Sequence, residues 1–347
     1  MWKILSAYGL PDKIVALVKA FYNNYECCVI HNGKQSDWFN VHTGVRQGCI
    51  ISLLLFITAI DWCMRSTLGN ENTGIRWTLE SFLEDLDFAD DVCLISSNKQ
   101  QMQRKTARLE TTAQYIGLDT NATKTKVLAI NNTCNTPIRI QDHDIEEIDN
   151  FTYLGAIISK DNGTSKDITS RISKARSAFC QLRPLWRSGK VSLKTKVKIY
   201  SSNIKSILLY GAECWKLVQS DPKKLSSFHN TCLRRICKIY WPKKISNKDL
   251  WSKTSQKSIQ LEIKQRRWRW LGHAMRMNKA CPANVALRWT PKRKRKRGRP
   301  KETWRRMIDG ELKEMGLTWK EAEKKARDRQ VWRELISALC ADMHEED

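Results

Sequence analysis

The stretch LDFADDVCLISS, residues 86–97, places two adjacent aspartates, Asp90 and Asp91, between two apolar runs. Apolar residues alternate with polar ones on both sides, which predicts two antiparallel strands, roughly Phe82 to Phe88 and Val92 to Ile95, that meet at the aspartates. Burying two adjacent carboxylates is costly, so the charges need either solvent or a bound cation. Two interpretations therefore remain: a solvated turn, which is the usual place for aspartate, or a site for a hard cation such as Mg²⁺.

Charge is unevenly distributed along the 347 residues. The chain carries 61 Lys and Arg against 36 Asp and Glu, a net charge of +25. Residues 1–100 have a net charge of −3, which leaves +28 for residues 101–347. An acidic part is thus joined to a long basic part, and the basic part is expected to favour a polyanion such as nucleic acid.

Neither a membrane span nor a secretory signal is expected from the sequence. The chain has no uninterrupted apolar run of about 18 residues and no charged start followed by an apolar segment. Its 12 cysteines are scattered, with spacings unlike those of structural zinc sites. They are interpreted as reduced thiols, so we expect an intracellular protein without a membrane partner.

Helical and strand patterns follow one another in the first half of the chain, whereas the second half is helical. Asn32-Gly33 lies between two short apolar runs and predicts a hairpin. A long, mostly apolar helix is expected to begin after Gly48. From Thr164 onward the pattern is helical and basic; in residues 193–211 the lysines at 194, 196, 198 and 205 fall off the apolar face.

Four segments follow one another along the chain: GVRQGCIISLLLF (44–56), FADD (88–91), GLDTNATKTKVL (117–128) and FTYLGAIIS (151–159). In order and spacing they resemble the reverse transcriptases of non-LTR (LINE-type) retrotransposons. The segments LLYGAECW, RRWRWLGHAMRM and RGRPKETWRR resemble the thumb and C-terminal region of those elements. The resemblance therefore covers nearly the whole chain.

The resemblance implies an α+β fold. Residues 1–160 would form a partial polymerase palm, an antiparallel sheet with helices, in which the fingers and the first catalytic box are missing. Residues 161–250 would form an all-helical, thumb-like region, and residues 251–347 a basic helical region that binds nucleic acid.

The resemblance also implies residue roles. Asp90 would bind metal and would act in catalysis together with Asp91. Template and incoming nucleotide would lie near Arg46, Gln47 and Gly48. Lys124 would lie near the nucleotide phosphates; the alternative is that it is an ordinary surface lysine. The primer grip would be formed by Leu154 and Gly155. The implied cofactor is Mg²⁺, with Mn²⁺ as an alternative, and the implied partners are an RNA template, a DNA primer and deoxynucleoside triphosphates.

The sequence departs from the family in its metal ligands. The strand that carries the family's other metal-binding aspartate is expected ahead of Trp2 and is missing from this chain, and Asp61, Asp85 and Asp87 do not match it. Because a two-metal site needs that ligand, little or no RNA-directed DNA polymerase activity is expected from this chain alone. The alternative is a catalytically silent remnant that binds nucleic acid.

The basic C-terminal region suggests non-specific nucleic-acid binding. Arginines alternate with tryptophan at Arg266, Arg267, Trp268 and Arg269, which offers phosphate contacts and stacking planes. Equally, Trp268 and Trp270 could be core residues beneath a charged face. A second cationic run at 292–301 is interpreted as nucleic-acid binding, and either as a nuclear localisation signal or as an arm that enters the minor groove. It comprises Lys292, Arg293, Lys294, Arg295, Lys296, Arg297 and Arg299.

Overall fold

The computed structural model describes residues 1–41, 44–69, 71–130, 136–161, 163–217, 220–290 and 303–341. Its internal contacts divide the chain into two units, Met1–Ile148 and Asp149–Asp347. The α+β class is confirmed: short antiparallel strand pairs lie among helices up to residue 159, and the described residues beyond it form helices. The predicted division at residues 160 and 250 stays a prediction.

The first unit combines four helices with ten short strands among its described residues. The helices are α1 (Trp2–Ala7), α2 (Asp12–Tyr22), α3 (Ile50–Leu68) and α4 (Lys99–Tyr115). The strands are β1 (Glu26–Cys27), β2 (Ile30–His31), β3 (Lys34–Gln35), β4 (Phe39–Asn40), β5 (Ile75–Arg76), β6 (Phe82–Leu83), β7 (Asp85–Phe88), β8 (Asp91–Leu94), β9 (Ile138–Ile140) and β10 (His143–Ile145).

These strands form separate two-stranded antiparallel pairs rather than one continuous sheet. The pairs are β1 with β4, β2 with β3, β5 with β6, β7 with β8, and β9 with β10. The predicted hairpin at Asn32-Gly33 is confirmed: both residues have positive φ, 48° and 74°, as the tight turn between β2 and β3 requires. Short pairs of this kind depend on the helices beside them for stability.

Helix α3 buries one face and exposes another. Leu55, Ala59 and Met64 are buried, and Leu55 packs with residues of α1 and α2. Ile50 is 90% exposed, and Leu53 and Leu54 are also exposed. With a mean hydropathy of 1.5, α3 is long and apolar enough to cross a membrane by length and composition, and a third of it is buried. No such segment was expected from the sequence. Because one face of α3 packs on α1 and α2, this helix equally has the character of a core helix.

The second unit begins with the hairpin of β11 (Asn150–Tyr153) and β12 (Ala156–Ser159). Its helices are α5 (Ser165–Gln181), α6 (Arg183–Arg187), α7 (Leu193–Ile199), α8 (Lys205–Leu208), α9 (Ser220–Ile236), α10 (Asn247–Thr254), α11 (Ile259–Arg276), α12 (Pro282–Arg288), α13 (Trp304–Glu314), α14 (Trp319–Arg327) and α15 (Arg329–Ala341). A π-helical turn (Tyr200–Ile204) joins α7 to α8, and a 3₁₀ turn (Ala212–Cys214) follows α8.

Two hydrophobic cores share helix α11. The first core joins α5, α9, α10 and the segment around α7 and α8, and receives Ile259 and Ile263 from α11. The second core joins α13, α14 and α15 to Leu261, Trp268 and Leu271 on α11. Helix α14 begins with a capping box: the hydroxyl of Thr318 accepts the backbone N–H of Glu321, whose carboxylate accepts the N–H of Thr318.

One expectation about the basic helices is wrong. Lys196 was expected on an exposed cationic face, but its side chain is buried. Its ammonium group donates to the carbonyl oxygens of Trp186 at 3.1 Å and Ser188 at 2.6 Å. These carbonyls lie at the C-terminal end of α6. A cation at this place donates hydrogen bonds to the last carbonyl oxygens and interacts favourably with the helix dipole.

Candidate functional site

The two aspartates singled out by the sequence lie at the tip of the β7–β8 hairpin. Phe88 pairs with Asp91, so Ala89 and Asp90 form the two-residue turn. Ala89 has a φ of 55°, the positive value that such turns require at their first central position. Asp90 and Asp91 are both exposed. The hairpin therefore presents two adjacent carboxylates at a projecting tip, as predicted. The predicted second strand is displaced by one residue at each end, and the first strand begins at Asp85, three residues later than predicted.

The base of this hairpin is held by a buried lysine on α4. The ammonium group of Lys105 forms an ion pair with Glu84, just before β7, and donates to the carbonyl oxygen of Ile95, just after β8, at 2.5 Å. Burial is the largest single influence and raises the pKa of Glu84, but the hydrogen bond and charge of Lys105, together with hydrogen bonds from Gly74 and Thr73, keep that pKa below its usual value. Lys105 thus joins both ends of the hairpin to α4. The helical spacing of α4 does not distinguish Lys105 from its exposed lysines and arginines, so sequence reasoning missed it.

A second carboxylate pair lies along β7. Asp85 and Asp87 are two residues apart and therefore project from the same face of the strand. Desolvation, followed by the hydrogen bond to Asp85 and repulsion from its charge, raises the pKa of Asp87 to about 7. Asp87 is therefore expected to keep its proton at a higher pH than an ordinary aspartate does.

The residues proposed to contact template and nucleotide lie before α3. The guanidinium group of Arg46 lies 4.4 Å from the ring centroid of Tyr25 and 5.8 Å from that of Tyr22. Gln47 is exposed, and Gly48 has a φ of 82° at the turn that leads into α3. Among the described residues, no hydrogen bond or ion pair joins Arg46 or Gln47 to Asp90. The structure therefore orders Arg46 through its aromatic neighbours and leaves these roles as predictions.

Lys124 is exposed in the turn after α4. Its backbone N–H donates to the side-chain oxygen of Asn121 at 3.0 Å, which is the hydrogen bond of an Asx turn. Its role at the nucleotide phosphates stays a prediction.

The residues proposed as primer grip form the turn of the β11–β12 hairpin in the second unit. Leu154 and Gly155 both have positive φ, 48° and 79°, a costly conformation for leucine. Tyr210 donates its hydroxyl to the Leu154 carbonyl oxygen at 3.0 Å, and Arg171 donates to that of Gly155. The Arg171 guanidinium also lies 4.3 Å from the Tyr210 ring centroid. Two residues that the sequence did not identify therefore hold this turn; the segment LLYGAECW, which contains Tyr210, was the available signal.

The arginine–tryptophan cluster on α11 divides between core and surface. Trp268 is fully buried and Arg267 is 3% exposed; both donate to the carboxylate of Glu311. Trp268 thus has the core position that was one of its two interpretations, and Arg267 is engaged inside the protein rather than with a ligand. Arg266 is partly exposed beside Glu262, and Arg269 is exposed. The residues of the second cationic run lie outside the described residues: Lys292, Arg293, Lys294, Arg295, Lys296, Arg297 and Arg299.

The donor chemistry of the hairpin tip fits one divalent ion and does not fit a pair. Asp90 and Asp91 offer carboxylate oxygens, which Mg²⁺ and Mn²⁺ prefer. In the described part of the chain, however, no group of three or more aspartate, glutamate, histidine or cysteine residues is placed to hold a metal. The third ligand that the family resemblance requires is not provided by the described residues.

Comparison with known proteins relates part of this sequence to a family. A family model described as reverse transcriptase (RNA-dependent DNA polymerase) matches residues 1–158, and a domain of unknown function matches residues 178–210. A transposon-derived protein of Caenorhabditis elegans is 25% identical over 220 residues, which cover 60% of this chain and 77% of that protein.

Two further relatives come from retrotransposons. A Drosophila melanogaster protein assigned as an RNA-directed DNA polymerase from transposon X-element is 24% identical over 67% of this chain. The retrovirus-related Pol polyprotein from type-1 retrotransposable element R2 of Nasonia vitripennis is 29% identical over 39% of this chain. The chain spans 26% and 15% of the lengths of these two relatives.

Residues 1–158 therefore belong to the reverse transcriptase family. The retrotransposon relatives indicate the type: this chain is similar to the reverse transcriptases of non-LTR, LINE-type retrotransposons.

Proposed function

We propose that this chain carries the metal-binding hairpin of an RNA-directed DNA polymerase and that, by itself, it binds nucleic acid without extending a primer. The observation that carries the proposal is the β7–β8 hairpin, whose exposed tip holds Asp90 and Asp91 and whose base is fixed by Lys105. A fixed base and a charged tip are what a ligand-binding site on a hairpin requires.

Asp90 would bind the metal ion, Mg²⁺ or in its place Mn²⁺, with Asp91 beside it. In nucleotidyl transfer a divalent ion lowers the pKa of the attacking 3′-hydroxyl and stabilises charge on the leaving pyrophosphate. With only two adjacent carboxylates at the tip, the chain supplies part of that site. A full reaction would require a third carboxylate from elsewhere in a longer product.

The proposed substrates follow from the family and from exposed side chains. An RNA template, a DNA primer and deoxynucleoside triphosphates would lie against Arg46, Gln47 and Gly48, and Lys124 would meet the nucleotide phosphates. Gly155 and Leu154 would support the primer, because Tyr210 and Arg171 hold their turn in one conformation.

The second candidate function is nucleic-acid binding without chemistry, as a remnant of a retrotransposon. The exposed position of Arg269 and the partly exposed position of Arg266 on α11 support it, together with the charge of +28 on residues 101–347. Counterion release would make such binding non-specific and strongly salt-dependent. The cationic residues 292–301 would act as a nuclear localisation signal, placing the protein with its nucleic-acid partners.

Binding of Mn²⁺ to the full chain tests the hairpin directly. Paramagnetic broadening of NMR signals is expected at the hairpin tip in the unmodified protein and is expected to be lost in Asp90→Ala with Asp91→Ala. The control is Glu80→Ala with Asp142→Ala, which removes two exposed carboxylates of the same unit. Broadening that persists in the first variant, or that centres elsewhere, would contradict the assignment of Asp90.

A further inference from the structure

Helices α5 and α9 lie side by side and enclose a groove. The Ser165 hydroxyl at the start of α5 donates to the Asp221 carboxylate at the start of α9 at 3.0 Å, so the two N-termini lie together. Further along, Arg176 of α5 and Arg235 of α9 line the same groove together with Cys232. The helices are therefore parallel, and the groove between them has a volume of about 840 Å³. At ~1.5 Å per residue, Lys223 to Arg235 extends about 18 Å, or three helical turns.

Unpaired cations line this groove at both ends. Lys223 and Lys224 lie toward the N-terminal end and Arg176 and Arg235 toward the other, and all four are exposed. Among the described residues none of the four forms an ion pair, and the lining contains no carboxylate. Other cations of the same unit do form ion pairs, as Lys205 does with Glu262 at 2.6 Å. Four unpaired cations around one groove favour an anionic occupant.

The floor of the groove is apolar, and its main aromatic ring is already engaged. Ile172 and Phe228 are half-buried, and Phe179 is buried. The ring of Phe179 stacks on that of Trp186, with centroids 5.0 Å apart and planes at 15°. A face covered in this way is not available to a nucleic-acid base, so the floor suits aliphatic side chains better than stacked bases.

We propose that the α5–α9 groove binds an amphipathic helix with acidic flanks from a partner protein. Aliphatic side chains at helical spacing would pack on Ile172 and Phe228, and carboxylates on both flanks would meet Lys223, Lys224, Arg176 and Arg235. The groove's length matches a helix of about three turns, a common length for helices that bind in grooves. This inference does not depend on the proposed function of the hairpin in the first unit.

The test uses a labelled synthetic peptide of about 15 residues with leucines at helical spacing and glutamates on both flanks. Fluorescence anisotropy with the full chain is expected to show saturable binding, at least about tenfold weaker in Arg176→Glu with Arg235→Glu. The control is Lys174→Glu with Lys190→Glu, which changes the net charge equally at exposed lysines that do not line the groove. The control variant is expected to bind the peptide with nearly the same affinity as the unmodified protein.

A second measurement needs no substitution. Cys180 lines the groove and is exposed, so bound peptide is expected to slow its alkylation by iodoacetamide, which mass spectrometry measures.

Equal loss of peptide binding in both double variants would overturn the proposal, because only the overall charge of the protein would then matter. The proposal would also be overturned if the protein bound labelled oligothymidylate instead of the acidic peptide, and if only the groove variant, Arg176→Glu with Arg235→Glu, lost that binding.

Discussion

A single glycine permits the tightest packing in the second core. Gly272 on α11 lies against the indole of Trp332, whose N–H donates to the carbonyl oxygen of Trp268 at 3.0 Å. A methyl group added at Gly272 would overlap the Trp332 ring. The close approach of α15 to α11 therefore depends on the absence of a side chain at this position.

The variant Gly272→Ala is expected to lower the free energy of unfolding of the second unit by about 1–3 kcal/mol, because a packed core does not accept extra volume without displacement. Gly310→Ala on α13 is the matched control, since a methyl group there meets no atom within 4 Å. That control is expected to gain about 0.5–1 kcal/mol from helix propensity. Thermal denaturation of both variants checks the prediction, and equal effects would contradict it.

Asp87 is expected to make the hairpin less stable as the pH rises. An aspartate in the unfolded chain ionises near its ordinary value of 3.8, whereas the folded-state pKa of Asp87 is about 7. Between these values the folded state binds more protons, so its stability falls as pH rises from about 4 to 7. Asp87→Asn removes this dependence. A carboxyl NMR titration of the unmodified protein gives the pKa directly, and a midpoint near 4 would contradict the account.

At the scale of single residues, the sequence predicted where a residue lies in the fold better than it predicted which residue that side chain contacts. The tip location of Asp90 and the positive φ of Gly33 depend on neighbours in the chain, so local patterns were sufficient. Arg267 was misread as a surface residue because its partner, Glu311, lies 44 positions away. No alternation of residue types indicates a pair at that separation.

The β7–β8 hairpin depends on α4 rather than on its own short ladder. Lys105 is 4% exposed and connects Glu84 with Ile95, so the two ends of the hairpin share one buried cation. The element that presents the candidate site is therefore fixed by a helix that contributes no predicted site residue.

The variant Lys105→Met would leave Glu84 without its cation and is expected to destabilise the first unit by about 3–5 kcal/mol. Arg108→Met, three residues along α4, is the matched control because Arg108 forms an exposed pair with Glu71. Such pairs contribute about 0–1 kcal/mol. Chemical denaturation measures both values, and a loss below about 1 kcal/mol for Lys105→Met would show that Lys105 does not hold the hairpin.

Element types were largely predictable, whereas the way elements assemble was not. The apolar pattern gave α3, and the turn residues gave the β2–β3 and β7–β8 hairpins. The sequence resemblance also predicted a palm sheet, but the described strands form separate pairs. Pairing of distant strands depends on packing that a local pattern does not contain, and the engagement of Lys196 with the end of α6 was missed for the same reason.

For the whole molecule, the excess of positive charge controls how nucleic acid binds. With a net charge of +25, most of the affinity is expected to come from phosphate contacts and released counterions. Affinity for a single-stranded oligonucleotide is expected to fall at least tenfold between roughly 50 and 200 mM salt. Anisotropy titrations at several salt concentrations check this, and affinity independent of salt would contradict electrostatic binding.

The most direct test of the central claim is primer extension by the full chain on a primed RNA template with Mg²⁺ and deoxynucleoside triphosphates. The account predicts template binding and no extension above that of Asp90→Ala with Asp91→Ala, because the tip supplies only two of the carboxylates that the chemistry needs. Extension that the unmodified chain performs and the double variant loses would contradict the claim and would show that another group of this chain completes the site.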